Sequence, residues 1–469
     1  MFELMLSTRC STSALNTRYQ RILFVFPPTG TYCREDRCQS FFRLDLVPQM
    51  RPPLEECEAA GALRALGVAS HLIDAPALQW DAERTLAEVL AWRADLVVVT
   101  TTFGSQDDDL AWLAELRTRA PSLDTCVRGA PVYTQARDLL LHPARPTFCV
   151  KGDYELVFDA VARHGWLGAP GAVYLSEGSV VDGGAPIAAN LDHLPRPDRT
   201  IITPSLYRVR GGPRPQATVH VQRGCPFPCS FCLVATVSGK QARHPSPERV
   251  ASEIAELWDA GYRYFYLRAE TFTLNRKWAL ATCEAIRARC PGARWVTATR
   301  IDTTDEESLR AMAAAGCYGI SFGVETGSEY IGRHIRKVPD AEQTRRVFRA
   351  CDRLGILSLM YVMVGFLWET RSTLTETSDF VRRVDPDLLT VYFAHPYPGT
   401  TYYNEVREAG VLPNPTRAQA EAAFRPEQLE RREVERFART LIASHYTRPR
   451  TVIRLATKAG PTLARMLLA

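Results

Sequence analysis

No apolar run in this chain reaches the roughly 18–20 residues that span a bilayer, so a transmembrane segment is not expected. The pattern G-x-G-x-x-G is missing after the first strand-like run, which leaves nicotinamide or flavin dinucleotide binding with little support. Dense Lys/Arg blocks are lacking too. The 57 basic and 52 acidic residues give a net charge of +5, too mild to argue for a nucleic-acid partner. No repeat with a period of about 20–50 residues is present, which excludes solenoids and propellers. Met1 to Gln20 holds no apolar core ahead of a cleavage site, so the expectation is a frayed N-terminus on a cytoplasmic protein. An odd number of cysteines, 13, in a long chain does not describe a disulfide framework.

What is present is ordinary globular composition. The 469 residues are 46% hydrophobic and 23% charged, enough for two or three domains with substantial cores. Arg21 to Pro28 reads as a buried strand stopped by prolines, Leu54 to Leu66 as a helix ended by Gly67, and Val68 to Ile73 as a strand. Asp81 to Arg93 is helical, Ala94 to Thr100 is the clearest buried strand, and Gln106 to Ala120 is helical again. Leu123 to Val127 and Thr147 to Val150 complete five strands. Such alternation predicts a doubly wound parallel sheet, which binds ligands at the carboxyl ends of its strands.

Between Gly165 and Gln216 glycine and proline accumulate, with a hairpin expected over Ala172 to Val181 and linker at Leu194 to Asp198 and Gly211 to Pro215. Alternation then returns. Strand-like runs at Ala217 to Gln222, Tyr262 to Leu267, Trp295 to Thr299, Gly319 to Val324, Leu357 to Val364 and Leu388 to Phe393 predict a partial (β/α)6 barrel, its site at the carboxyl ends. The charged stretch Pro426 to His445 and the basic, amphipathic Thr451 to Ala469 predict a helical tail. The tail either packs on the barrel, the better reading, or touches a membrane surface. The predicted boundaries are 1–20 frayed, 21–165 doubly wound, 166–216 linker with hairpin, 217–405 barrel and 406–469 helical extension.

The most informative feature is Gly224-Cys225-Pro226-Phe227-Pro228-Cys229-Ser230-Phe231-Cys232. C-x₃-C-x₂-C lets a short loop bind three irons of a four-iron–four-sulfur cubane, leaving the fourth open to a substrate or cofactor. Zinc would want a fourth Cys or His, and His220 suits a strand better. The loop follows directly on the first barrel strand, where a barrel enzyme puts its site. Cys10, Cys57, Cys126, Cys149, Cys283, Cys290, Cys317 and Cys351 are scattered singly and read as buried thiols.

This triad, with an aromatic residue before its last cysteine, resembles the signature of the radical S-adenosylmethionine (SAM) enzymes. The whole layout from about residue 20 to 450 resembles the branch with an N-terminal cobalamin-binding domain, the class B methyltransferase-like members. The likeness includes Pro27-Pro28, Thr100-Thr101-Thr102, Phe322 to Gly327 and Ile335-Arg336-Lys337. The resemblance implies a Rossmann-like cobalamin domain, a radical SAM barrel, and a cluster held by Cys225, Cys229 and Cys232 with SAM on the open iron. By the same likeness Phe231 lies near the adenine, Glu325 and Gly327 serve the ribose, and Gly365 makes the bend beside the adenine. Arg300 and Arg336 either neutralise the SAM carboxylate or form surface ion pairs. By the same likeness Glu270 and Asn275 would face the position that contacts the SAM amino group, the alternative being that backbone groups make that contact.

The implied activity is methylation of an unactivated carbon in a natural-product, lipid or tetrapyrrole-type metabolite. One SAM methylates cob(I)alamin, and a second, cleaved by an electron from the cluster, yields the 5′-deoxyadenosyl radical. The alternative is ring formation or rearrangement on the same scaffold without net methyl transfer. A small-molecule substrate and an electron donor such as flavodoxin or ferredoxin are the implied partners. One departure stands out: D-x-H-x-x-G is absent, and neither His71 nor Arg163-His164-Gly165 replaces it, so cobalamin is expected without a protein histidine on its lower face. Cys33 and Cys38 do not supply the second triad of a methylthiotransferase. Arg34-Glu35-Asp36-Arg37 is either a contact for corrin amides or substrate, or a solvated loop. Tyr207, Tyr397, Tyr402 and Tyr403 are candidate substrate-side groups, or packing.

Overall fold

Short β-branched and aromatic runs, each followed by an amphipathic helix, build two sheets in the computed structural model. It describes residues 17–30, 34–37, 51–207, 216–412 and 428–468, with side chains in the last helix as far as Lys458. The first sheet has seven strands: β1 Arg21–Phe26, β2 Ala69–Asp74, β3 Leu96–Thr100, β4 Asp124–Arg128, β5 Phe148–Val150, β6 Ala172–Ser176 and β7 Ser179–Asp182. Their order is β2-β1-β3-β4-β5-β6-β7, the first five parallel and the last two antiparallel. β1, β3 and β4 are buried almost throughout, as a sheet covered on both faces requires.

The second sheet holds β8 Gln216–His220, β9 Tyr264–Arg268, β10 Arg294–Thr299, β11 Cys317–Glu325, β12 Leu357–Val364 and β13 Leu388–Phe393. All neighbours are parallel and follow chain order, with β8 and β13 at the two edges. This is the open six-stranded barrel, and its core is the largest among the described residues. Helix Arg431–Tyr446 runs along β13 from near Gly365 to Leu389, and helix Pro449–Leu468 follows at the amino end, where Lys458 and Arg454 meet the buried Asp387 carboxylate.

Two expectations need correction. The hairpin read as part of a linker is the antiparallel edge of the first sheet, so that sheet runs on to Asp182. β5 has only three residues, and β6 supplies the pairing its outer side would otherwise lack. The N-terminal segment is anchored from residue 17. The Arg18 N–H donates to the Ala162 carbonyl at 2.8 Å, and Tyr19 is buried with its hydroxyl on Asp124 at 2.7 Å. Residues 1–16, Cys33, Cys38, the Gly211 to Pro215 linker, Pro426 and Ala469 lie outside the described residues.

Candidate functional site

The carboxyl ends of both sheets face one another. Phe103 after β3 and Ala130 after β4 pack on Leu233 and Val237, which follow the cysteine loop. Tyr397, after β13, lies 5.5 Å from the Phe103 ring. A ligand held on the first sheet by the usual rule for doubly wound folds would therefore face the barrel's own site.

The loop after β8 is shaped for its thiols. Gly224 has φ +78°, and a Cβ there would collide with the Gln241 carbonyl; only glycine meets both conditions readily. Gln222 is fully buried, its amide donating to the Gly224 carbonyl at 3.0 Å while its oxygen accepts the Thr271 N–H at 3.0 Å. Cys225, Cys229 and Cys232 are all partly exposed, unlike the other seven described cysteines, which are buried. Burial pushes the Cys232 thiol up to about 12 and raises Cys225, while backbone N–H groups of Val234 and Phe227 and the Thr271 hydroxyl favour their thiolates. Cationic irons supply the remaining stabilisation that such thiolates need, so the donor set fits a cluster. No three His, Cys, Asp or Glu side chains among the described residues converge on one ion. A single zinc needs such convergence, whereas cubane ligands each take a different iron.

Arg300, at the end of β10, lies over the Phe227 ring at 3.8 Å. It pairs with Asp302 at 2.5 Å and donates to Cys229 Sγ at 3.4 Å. Glu270, after β9, is held by Arg37 of the first domain at 2.6 Å. Asn275 is used as a helix cap, its Oδ1 accepting the Trp278 N–H at 3.1 Å. Phe231 packs among Ile331, Ile335, Phe366 and Tyr402. The Ser230 N–H donates to the Ile335 carbonyl at 3.1 Å, tying the cysteine loop to the segment after β11.

Glu325 ends β11 beyond a register shift, at φ +72°, a conformation a non-glycine residue adopts at a cost. Its carboxylate pairs with Lys337 at 2.8 Å, in space that a side chain at Gly323 would fill. Gly327 lies against helix Arg371–Val384, where a Cβ would collide with Phe380. Arg336, at φ +58°, is exposed. Gly365, at φ +83°, forms the bend after β12, and its N–H donates to Glu369 at 3.2 Å.

Several residues were not legible in advance. Glu369 is buried, with only Thr373 Oγ and backbone N–H groups as donors among the described residues, and burial raises it to about 7. Its only sequence signal is the spacing Gly365-x₃-Glu369. A carboxyl whose folded value exceeds its unfolded value stabilises most below the unfolded value, and that contribution is lost as pH rises through about 7. Thermal melts from about pH 5 to about pH 8 should show this loss, and Glu369→Gln should remove roughly 3 kcal/mol of it. His395, after β13, is buried beside Tyr397, has Nδ1 unpartnered among the described residues, and is driven down to about 3 by burial.

Arg34 to Arg37 is not a solvated loop. Arg34 donates to the Thr100 carbonyl at 2.6 Å and pairs with Asp109, Asp36 pairs with Arg128 at 2.8 Å, and Glu35 faces Arg268. Tyr207 and Tyr402 are packing residues. The Tyr207 hydroxyl donates to Asp74, and the Tyr402 hydroxyl accepts the Leu367 N–H. Tyr403 is half-buried beside Arg407. His220 bonds Glu58 at 2.8 Å, and His71 is an exposed strand residue stacked on Trp92.

Residues 219–381 match the model of the Radical SAM superfamily. The chain is 28% identical over 397 residues to an uncharacterised methyltransferase of Pyrococcus horikoshii, covering 82% of each. It is 30% identical over 195 residues to the anaerobic magnesium-protoporphyrin IX monomethyl ester cyclase of Rubrivivax gelatinosus, covering 40% of this chain but 35% of that one. Among solved structures, the cobalamin-dependent SAM radical enzyme OxsB, with aqua-cobalamin and SAM bound, superposes with a TM-score of 0.72 at 15% identity, covering 96% of this chain and 72% of that one. The radical SAM methyltransferase TsrM of Kitasatospora setae, with cobalamin and a [4Fe-4S] cluster bound, gives 0.64 at 20% identity, covering 83% and 75%. Residues 219–381 are thus a Radical SAM domain, and the chain is an enzyme. Its two-domain α/β fold is the one seen in OxsB and TsrM. No helix among the described residues is long and apolar enough to cross a membrane.

Proposed function

We propose that this enzyme is a cobalamin-dependent radical SAM C-methyltransferase acting on an unactivated carbon of a natural-product, lipid or tetrapyrrole-type metabolite. One observation carries the reading: the cysteine loop lies at the carboxyl ends of both sheets, against Phe103 and Ala130 of the first. A corrinoid on the first sheet and a cluster on the second would then share one substrate space. When bound, the cluster supplies the electron that cleaves SAM and the corrinoid carries the methyl group.

This chain's residues hold and orient those groups. Cys225, Cys229 and Cys232 are the cluster ligands. Phe231, Gly365 and the bend fixed by Glu369 form the adenine side, and Glu325 with Lys337 lies on the ribose side. Cobalamin would sit at Thr101, Thr102 and Gly129, with no histidine below it. Thr101 and Ser105 hydroxyls are spent on the buried Asp109 at 2.9 and 2.6 Å, which stiffens the β3 turn rather than leaving it free. The electron comes from a small redox protein of the flavodoxin or ferredoxin kind.

Incubation of anaerobically loaded protein with SAM, hydroxocobalamin and a reductant tests the reading. S-adenosylhomocysteine and 5′-deoxyadenosine should form together. The similarity to the magnesium-protoporphyrin cyclase favours a second reading, a radical cyclase or isomerase, and 5′-deoxyadenosine alone would select it.

A further inference from the structure

Two side chains outside the cysteine loop carry hydrogen-bond donors beside it. The first is Arg300, whose Nη1 is 3.4 Å from Cys229 Sγ. Its guanidinium is fixed from two other directions, by the Phe227 ring beneath it and by Asp302, so it cannot swing away without breaking both contacts. The second is Thr271. Its hydroxyl is buried and has no hydrogen-bond partner among the described residues. Beside it is Cys225, the first thiol of the loop, whose thiolate this hydroxyl would favour. Gln222 binds the Thr271 N–H and the Gly224 carbonyl together, which ties this threonine to the residue just before Cys225.

A donor aimed at a cluster sulfur stabilises the state with more negative charge, the reduced one, and so raises the reduction potential. Glu270 acts in the opposite sense. Its carboxylate is offset by Arg37 at 2.6 Å.

We propose that Thr271 and Arg300 are positioning residues that donate to the Cys225 and Cys229 thiolates and set the reduction potential of the cluster. Arg300 thereby works on the cluster rather than on the SAM carboxylate. The inference rests on the cluster assignment made above.

The test is an EPR-monitored potentiometric titration of the iron-loaded enzyme without SAM, for the parent, Thr271→Val, Thr271→Ser and Arg300→Met. Iron content and SAM affinity are measured alongside. Expected are lower midpoint potentials in Thr271→Val and Arg300→Met at full iron content, with the larger shift in Arg300→Met because a charge is lost as well. Thr271→Ser should keep the parent value. Unchanged potentials, with weakened SAM affinity in Arg300→Met, would overturn the proposal and give Arg300 to the SAM carboxylate. Should Arg300→Met fail to take up iron, the threonine pair decides alone. A parent enzyme that takes up no four-iron cluster would overturn the cluster assignment itself, a result separable from unchanged potentials in a loaded enzyme.

Discussion

Cys229→Ala is expected to abolish reductive cleavage of SAM, with 5′-deoxyadenosine formation falling below roughly one per cent of the parent rate. That exceeds the roughly 10–100-fold typical of losing an outer-shell partner, because a ligand is removed rather than its support. Three thiolates are the whole protein share of a cubane with one open iron, so loss of any one leaves two. The folded state should survive. Cys229 is partly exposed and belongs to a loop, and the barrel core beneath is built from other residues. Iron analysis, EPR and 5′-deoxyadenosine release, alongside an unchanged melting temperature, check this. Wild-type iron content in Cys229→Ala would mean that the triad is not the ligand set.

Arg223→Met is expected to give the largest loss of stability. Arg223 is buried between the domains, two residues before Cys225. It makes a forked pair with Glu155 at 2.6 and 3.0 Å and lies 3.0 Å from both Glu58 and Asp153. A buried pair contributes little in itself, but removing one partner leaves uncompensated charge, at roughly 3–5 kcal/mol. Three carboxylates would be left facing Arg243 and His220 as the remaining partners shown for them. Melting should therefore occur at markedly lower temperature, and cluster retention should weaken as the start of the cysteine loop loosens. A variant that melts like the parent would show that the seam tolerates loss of this charge.

The order of strands was legible because period and punctuation are local. β1 ends at Pro27-Pro28, β3 is an unbroken Val run, and β12 stops at Gly365. The cysteine loop was legible because its three ligands lie within eight residues of sequence. The interdomain seam was not. Helix Leu54–Ala65 carries Glu55, Glu56 and Glu58, residues that a helical pattern assigns to solvent, yet all three are buried. Their partners Arg268, Arg128 and Arg223 come from the ends of β9, β4 and β8, and no local pattern announces pairing at such sequence distance. The buried ion pairing of loop 34–37 was hidden for the same reason. Asn275 was given a ligand role although a polar residue just before a helix already has a use as its cap. Thr271 and Gln222 bear no motif, and only the folded geometry sets them against the cysteine loop.

The most direct measurement is metal and cofactor analysis with an absorption spectrum, on protein prepared anaerobically with hydroxocobalamin supplied. Expected are about one corrinoid and one four-iron cluster per chain, the corrinoid in a form without protein histidine coordination. A four-iron cluster with no retained corrinoid would contradict the methyltransferase reading and leave the cyclase or isomerase in its place.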